Sequence, residues 1–173
     1  MPLWQTYLRP HSVDEALRAL TSVPGPAIPI AGGTDLLLDL RQGRHRPVHT
    51  LVDVTAIPEM TALEIRRERL YVGAAVPLRR VATSSLVREH ARALAEACDL
   101  IGGPQVRNVA TLGGNVAHAL PAADGTIALM ALDAQAEIAT LQGRRLSPLG
   151  ELFRGPGQSV LQEGELILGF YLP

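Results

Sequence analysis

Two short glycine-centred segments are the residues whose types and spacing suit chemistry. The first is Ala31-Gly32-Gly33-Thr34-Asp35 and the second is Thr111-Leu112-Gly113-Gly114-Asn115. A diphosphate needs backbone donors within hydrogen-bond distance, and a side chain at the point of closest approach blocks them. Glycine removes the Cβ and tolerates the positive φ angles that turn successive amides toward one anion. Thr34 and Thr111 add hydroxyl donors, and Asn115 adds a carboxamide. A tight turn explains either glycine pair equally simply, and Asn115 also suits a plain turn. Neither the G-x-G-x-x-G nor the P-loop pattern is present, which argues against a standard dinucleotide fold or a nucleoside-triphosphate loop. Asp124 follows nine residues after Asn115. Its carboxylate suits either a ribose or ribityl hydroxyl or the ordinary role of an acid at a helix start.

The other reactive residues offer less. Cys98 is the only cysteine, which leaves no intrachain disulfide, thiolate-held cluster or cysteine zinc site, and its apolar surroundings suit a buried thiol. All 16 basic residues are arginine, so Schiff-base lysine chemistry is excluded within this sequence. His11, His45, His49 and His90 lack metal-ligand spacing and read as surface residues. His118 lies beside the second loop, where it either contacts a ligand or packs. Arg41, Arg44 and Arg46 form a basic group suited to a partner, a phosphate or a solvated helix end. Arg107 precedes the second loop and is positioned to brace it. Trp4 and Tyr71 read as packing residues. No catalytic residue and no metal site is assigned.

These loops need elements to hold them. Ser12-Val13-Asp14-Glu15 is a capping-box pattern, and Val13, Ala16, Leu17 and Leu20 continue it as an apolar helical stripe. A short buried strand over Ala27 to Ala31 runs into the first loop. A helix starting at Thr34 or Asp35 follows, so the helix end adds partial positive charge to the loop. His49 to Val54 is a second strand, giving a β-loop-α-β unit with parallel pairing. From residue 62 the period falls to two, and Leu63, Ile65 and Leu70-Tyr71-Val72 form a hairpin turning at Arg67-Glu68. One long helix is predicted over 86–100, with Val87, Ala91, Leu94 and Cys98 on one face. An Ala-rich helix follows the second loop. Ala136 to Leu141 is predicted as a strand, Leu149 to Phe153 as a short helix and Glu165 to Leu172 as the last strand. The mixed order predicts an α+β fold of two small α/β lobes, 1–57 and 58–173, with the two Gly-Gly loops as a clamp between them.

Composition sets the outer limits. Of 173 residues, 47% are hydrophobic but only 3% aromatic, so aliphatic side chains must fill the core. A formal net charge of −1 argues against nucleic-acid binding. Met1-Pro2-Leu3-Trp4-Gln5 lacks a signal-peptide pattern, and no segment approaches the ~20 apolar residues of a membrane span. A cytoplasmic location is therefore expected.

Taken together, Ile30 to Leu36, Gln105 to Asn115 and Pro121-Ala122-Ala123-Asp124 resemble the FAD-binding subunit of the xanthine dehydrogenase and carbon monoxide dehydrogenase family, the molybdenum hydroxylases. An aromatic-Tyr, Arg-Pro and Ser-x-x-Glu-Ala-Leu opening, seen over Trp4 to Leu17, extends the resemblance to essentially the whole chain. It implies the PCMH-like arrangement of two lobes with FAD between them. Pro29, Ile30, Ala31, Gly32, Gly33, Thr34, Asp35 and Leu36 would wrap the diphosphate and adjoining ribose. Thr111, Leu112, Gly113, Gly114 and Asn115 would bind from the opposite lobe, and Asp124 would hold a cofactor hydroxyl. Ile101 and Ile167 match apolar positions lining the family's site.

The implied role is electron transfer from 2Fe-2S clusters on a small subunit, fed by a molybdopterin-binding large subunit, to an external acceptor. Flavin suits that place because it takes electrons singly and releases them singly or in pairs. The flavin is expected to be non-covalent, since no His or Cys attachment motif is present. The family's subunits continue for about another domain-sized hundred residues into a C-terminal lobe that covers the isoalloxazine. That lobe would begin after Tyr171-Leu172-Pro173, and it is expected from a separate chain or to have been removed or lost. The alternative is a non-catalytic assembly protein that keeps the fold without flavin. A generic nucleotide-binding module is a third reading.

Overall fold

The computed structural model describes residues 2–173. Strand β1 (Thr6–Leu8) leads to helix α1 (Val13–Ser22), strand β2 (Ala27–Ile30), helix α2 (Leu36–Arg41) and strand β3 (Thr50–Asp53). The three strands form a parallel sheet in the order β1-β3-β2. The fully buried Thr50–Asp53 run takes the centre. Pro29 is tolerated in β2 because that strand is an edge, where a missing N–H leaves no gap in the ladder. The Ser12 hydroxyl accepts from the Glu15 amide at 3.2 Å and caps α1, while the Glu15 carboxylate accepts from the His11 amide at 2.9 Å. The return bond of the capping box thus falls one residue earlier than its usual place.

A 3-10 turn over Pro58–Thr61 leads into strands β4 (Leu63–Arg66) and β5 (Arg69–Gly73). The turn residues Arg67 and Glu68 have φ +50 and +63, the two left-handed residues that a two-residue hairpin loop demands. Six helices follow: α3 (Leu78–Thr83), α4 (Ser85–His90), α5 (Arg92–Leu100), α6 (Pro104–Arg107), α7 (Leu112–Ala117) and α8 (Asp124–Ala131). Strands β6 (Gln135–Thr140) and β7 (Gly143–Pro148) come next. A 3-10 turn at Leu149–Leu152, a small ribbon of β8 (Phe153–Gly155) and β9 (Gln158–Ser159), and β10 (Leu166–Leu172) complete the chain. The second sheet is antiparallel, ordered β4-β5-β10-β6-β7. Its central strand is the last in sequence, which closes the fold. The fold is α+β, as the alternating periodicities predict.

The single helix predicted over 86–100 is two. Ala91 takes φ −149 and ψ 56, which interrupts the helical path between α4 and α5. The break still delivers Val87, Ala91, Leu94 and Cys98 to the core, all at 2% exposure or less. Spacing therefore read the buried face correctly while missing the change of direction. The helix predicted over Leu149 to Phe153 is a 3-10 turn, and Phe153 already belongs to β8.

One core joins the two sheets. Leu17 and Leu20 of α1 and Val52 of β3 pack in the same cluster as Val72, Leu94, Ile138 and Phe170. A second, small cluster of Ile30, Val48 and Leu51 lies on the parallel sheet, with Trp4 packed against it. Tyr71 is fully buried, and its hydroxyl donates to the Leu168 carbonyl at 3.1 Å. Gly169 makes room for it, because a Cβ there would fall 2.5 Å from the Tyr71 ring. Burial pushes the Cys98 thiol up to about 12, so it is a packing residue. Among the described residues no helix is long and apolar enough to cross a membrane.

Candidate functional site

The first loop leaves the C-terminal end of β2 beside Asp53 of β3. Asp53 is a buried carboxylate. It accepts from the Thr55 amide at 2.9 Å, the Thr55 hydroxyl at 2.6 Å and the Tyr7 hydroxyl at 2.9 Å, with the Arg9 guanidinium 3.4 Å away. Burial opposes its charge, but the donors on Thr55 and Tyr7 and the nearby Arg9 outweigh that cost. They hold the carboxyl below its ordinary value. This network ties β1 to β3 at the edge from which the loop departs.

The loop itself is rich in unengaged donors. Gly33 adopts φ +67, a left-handed step that reorients the chain between strand and helix. Asp35 stands at the helix start but makes no side-chain cap. Among the described residues, the five consecutive amides from Gly32 to Leu36 find no acceptor in the protein, whereas Leu37 and Asp39 donate to the Gly33 and Asp35 carbonyls. Gly32, Gly33, Thr34 and Leu36 are half-buried and Asp35 is exposed, and at a helix start such amides are left open to solvent or to an external acceptor. No side chain fits at Gly32, where a Cβ would fall 2.2 Å from the Val109 carbonyl oxygen. The first loop thereby presses directly against the lead-in of the second.

The second loop is built differently from the expected cradle. Thr111 is the N-cap of α7, so both of its glycines lie within the first helical turn. The Leu112 amide donates to the Val76 carbonyl at 3.2 Å, and the Gly113 amide to the Ala74 carbonyl at 2.8 Å. The Gly114 amide donates to the Thr111 hydroxyl at 3.2 Å, and the Asn115 amide to the Thr111 carbonyl at 3.0 Å. Of the loop's five amides only that of Thr111 finds no acceptor among the described residues, and this contrasts with the prediction that both loops donate successive backbone N–H groups. The glycines provide close approach instead. A Cβ on Gly113 would meet Ala74 at 2.6 Å, while one on Gly114 would meet only the Thr111 hydroxyl at 3.3 Å. The Asn115 carboxamide oxygen accepts from the Thr126 amide at 3.0 Å and the Thr126 hydroxyl at 3.3 Å, which fastens α7 to the start of α8.

Both loops open onto one cavity of about 600 Å³. Pro29 to Leu36 line it, together with Ile101, Thr111, Gly114 and Asn115. A smaller neighbouring cavity of about 100 Å³ takes in Gly113 and Ile167, and Pro29, Ile30, Ala31, Thr111 and Gly114 border both. Leu112 points into the core at 0% exposure. Asp124 lies exposed at the first position of α8 and borders neither cavity. Arg107 braces the Ile101-Gly102 turn, donating to the Gly102 carbonyl at 2.6 Å and the Ile101 carbonyl at 3.3 Å, and so holds Ile101 at the wall. His118 lines the cavity. So does His45, which sequence reasoning had placed on the ordinary surface. Nothing in the local pattern around His45 signalled this, because the turn after α2 is what returns it to the site. None of the arginines lines the large cavity, so an anion there would meet backbone amides and the two imidazoles rather than guanidinium groups.

Residues 4–173 match the family described as "FAD binding domain in molybdopterin dehydrogenase". The xanthine dehydrogenase FAD-binding subunit of Escherichia coli O157:H7 is 31% identical over 169 residues, covering 97% of this chain and 57% of that protein. The 6-hydroxypseudooxynicotine dehydrogenase complex subunit alpha of Paenarthrobacter nicotinovorans is 35% identical over 167 residues, covering 96% and 56%. Among solved structures, a chain of the carbon monoxide dehydrogenase of Hydrogenophaga pseudoflava superposes with a TM-score of 0.94 at 31% identity, over 100% of this chain and 60% of that one. A chain of quinoline 2-oxidoreductase from Pseudomonas putida 86 gives 0.92 at 30% identity, over 98% and 59%. The chain thus spans somewhat over half the length of the relatives it matches.

Proposed function

The chain belongs to the family of FAD binding domains in molybdopterin dehydrogenases, and from that premise we propose that it is the cofactor-binding part of an electron-transferring oxidoreductase complex. The observation that carries the reading is the run of unengaged amides from Gly32 to Leu36 on the wall of the large cavity. Five N–H groups on one loop suit the oxygens of the FAD diphosphate, and the φ of +67 at Gly33 gives the turn that brings successive amides to one side. The residues present fit the cofactor.

In this reading Pro29 to Leu36 bind the diphosphate and neighbouring ribose. Thr111 and Gly114 supply a hydroxyl and an open surface on the facing side, and Leu112 and Gly113 act by packing α7 against Ala74 and Val76. Ile101 and Ile167 offer apolar walls. Asp124 holds a cofactor hydroxyl only if the ligand extends beyond the two cavities. The change of sheet between Asp53 and Leu63 supports division into lobes 1–57 and 58–173. FAD, when bound, supplies a group that accepts electrons singly and passes them on. The chain's own task is to bind, orient and shield it. The expected partners are a molybdopterin-binding large subunit, a 2Fe-2S small subunit and a chain or segment that covers the isoalloxazine.

The test is reconstitution. Purified protein incubated with FAD and desalted should retain the visible absorption of oxidised flavin at close to one per chain. Protein that stays colourless would overturn the reading. ADP raising thermal stability as much as FAD does would reduce it to adenine-nucleotide binding.

A further inference from the structure

The wall of the large cavity includes the connector between α7 and α8, where His118, Leu120, Ala122 and Ala123 face it. Within this connector Ala119 is buried at 6% exposure and has φ +55. A left-handed conformation is disfavoured for a residue with a Cβ and persists only where surrounding structure holds it. One holder is visible: the Ala119 carbonyl accepts the Gly157 amide at 2.8 Å.

Gly157 sits at the tip of the β8–β9 ribbon, in Gly155-Pro156-Gly157-Gln158, where Gly155 and Gln158 are register partners. Proline followed by a glycine at φ +67 is the residue chemistry of a type II turn. In that turn the central peptide stands across the plane of the turn, so its N–H faces outward rather than into the ribbon. The Pro156-Gly157 peptide thus presents a donor to a carbonyl elsewhere in the fold. No residue of the ribbon lines the large cavity, so any influence on a ligand passes through Ala119.

We propose that the Pro156-Gly157 turn clasps the α7–α8 connector against the cofactor cavity, making Gly157 and Ala119 positioning residues that set how fast a bound dinucleotide leaves. The release part rests on the FAD reading above; the clasp itself does not. In the Gly157→Val variant a β-branched residue disfavours positive φ, so the turn changes type and swings the amide away from Ala119. The Gly157→Asn variant tolerates the left-handed conformation and keeps the clasp.

Two measurements decide the matter. Hydrogen exchange on FAD-free protein should show the peptide covering residues 119–124 exchanging faster in Gly157→Val only, together with the turn at residue 157 that loses its acceptor, and with the remainder of the chain unchanged. FAD release, followed by recovery of flavin fluorescence on dilution, should accelerate about tenfold in Gly157→Val, the factor that one net hydrogen bond can supply. Gly157→Asn should match wild type in both. Unchanged exchange over 119–124, or faster exchange spread evenly over the whole chain, overturns the clasp. Wild-type protein that never retains FAD overturns the functional reading, and the exchange result still decides the clasp.

Discussion

At the scale of single residues, the two glycine pairs that looked alike in sequence have different physical jobs, and substitution should separate them. At Gly33 a valine must adopt φ +67 and place its Cβ 3.1 Å from Ile30 and Leu37 side-chain atoms. Gly33→Val is therefore expected to abolish FAD retention while far-ultraviolet circular dichroism stays native; full flavin occupancy would remove the amide cradle from consideration. Gly114→Ala is the complementary probe, because the added methyl meets only the Thr111 hydroxyl at 3.3 Å. The fold should keep its melting temperature, and lost flavin would then report direct contact with the cavity. Asp53 supplies a third case. Its carboxyl is held below the ordinary value, so the stability it contributes is complete above its unfolded pKa and is lost as pH falls through the folded one. Asp53→Asn should cost about 1–3 kcal/mol near pH 7. It should also flatten the loss of stability below about pH 4. Denaturant titrations of both proteins across that range measure the difference, and parallel curves would contradict the assignment.

At the scale of elements, legibility followed the range of the forces involved. The capped start of α1, the 63–72 hairpin and β10 were readable because each depends on neighbouring residues: a Ser-x-x-Glu box, a two-residue turn and a run of apolar side chains. The second loop was misread as a free cradle because its amides find acceptors on Ala74 and Val76, some forty residues earlier, and no local pattern encodes that pairing. The break at Ala91 was invisible for a related reason. The apolar spacing continues unbroken across it, and only packing against the remaining helices sets the change of direction. The site inherits this division. The glycine loop from Pro29 to Leu36 is legible as a local pattern, while the return of His45 to the cavity wall and the Gly157–Ala119 hydrogen bond exist only through tertiary folding. Cys98 shows the converse: a lone cysteine on an apolar stripe is enough to expect burial. With its thiol pushed up to about 12, it should resist an aqueous thiol reagent at pH 8 in the native state and react stoichiometrically only after unfolding.

At the scale of the whole molecule, the two sheets look like separable lobes, yet their packing argues that they melt together. Leu17, Leu20 and Val52 from the parallel sheet's half share one core with Val72, Ile138 and Phe170 from the other. The backbone at Gly32 also touches the Val109 carbonyl, where not even a methyl group would fit. Separating the lobes would expose that shared apolar surface at about 25 cal/mol per Å², leaving neither half with a complete core. The FAD-free protein is therefore expected to unfold in one transition, with calorimetric and van't Hoff enthalpies in agreement. A dinucleotide gripped from both sides should raise the midpoint of that single transition without splitting it. At a hundred times its dissociation constant the gain is about 2.7 kcal/mol, or roughly 5–10 °C for a chain of this size. Differential scanning calorimetry with and without FAD reads both quantities. Two resolved transitions, of which FAD moves only one, would mean that the cofactor is held by a single lobe and that the cavity between the loops is not its site.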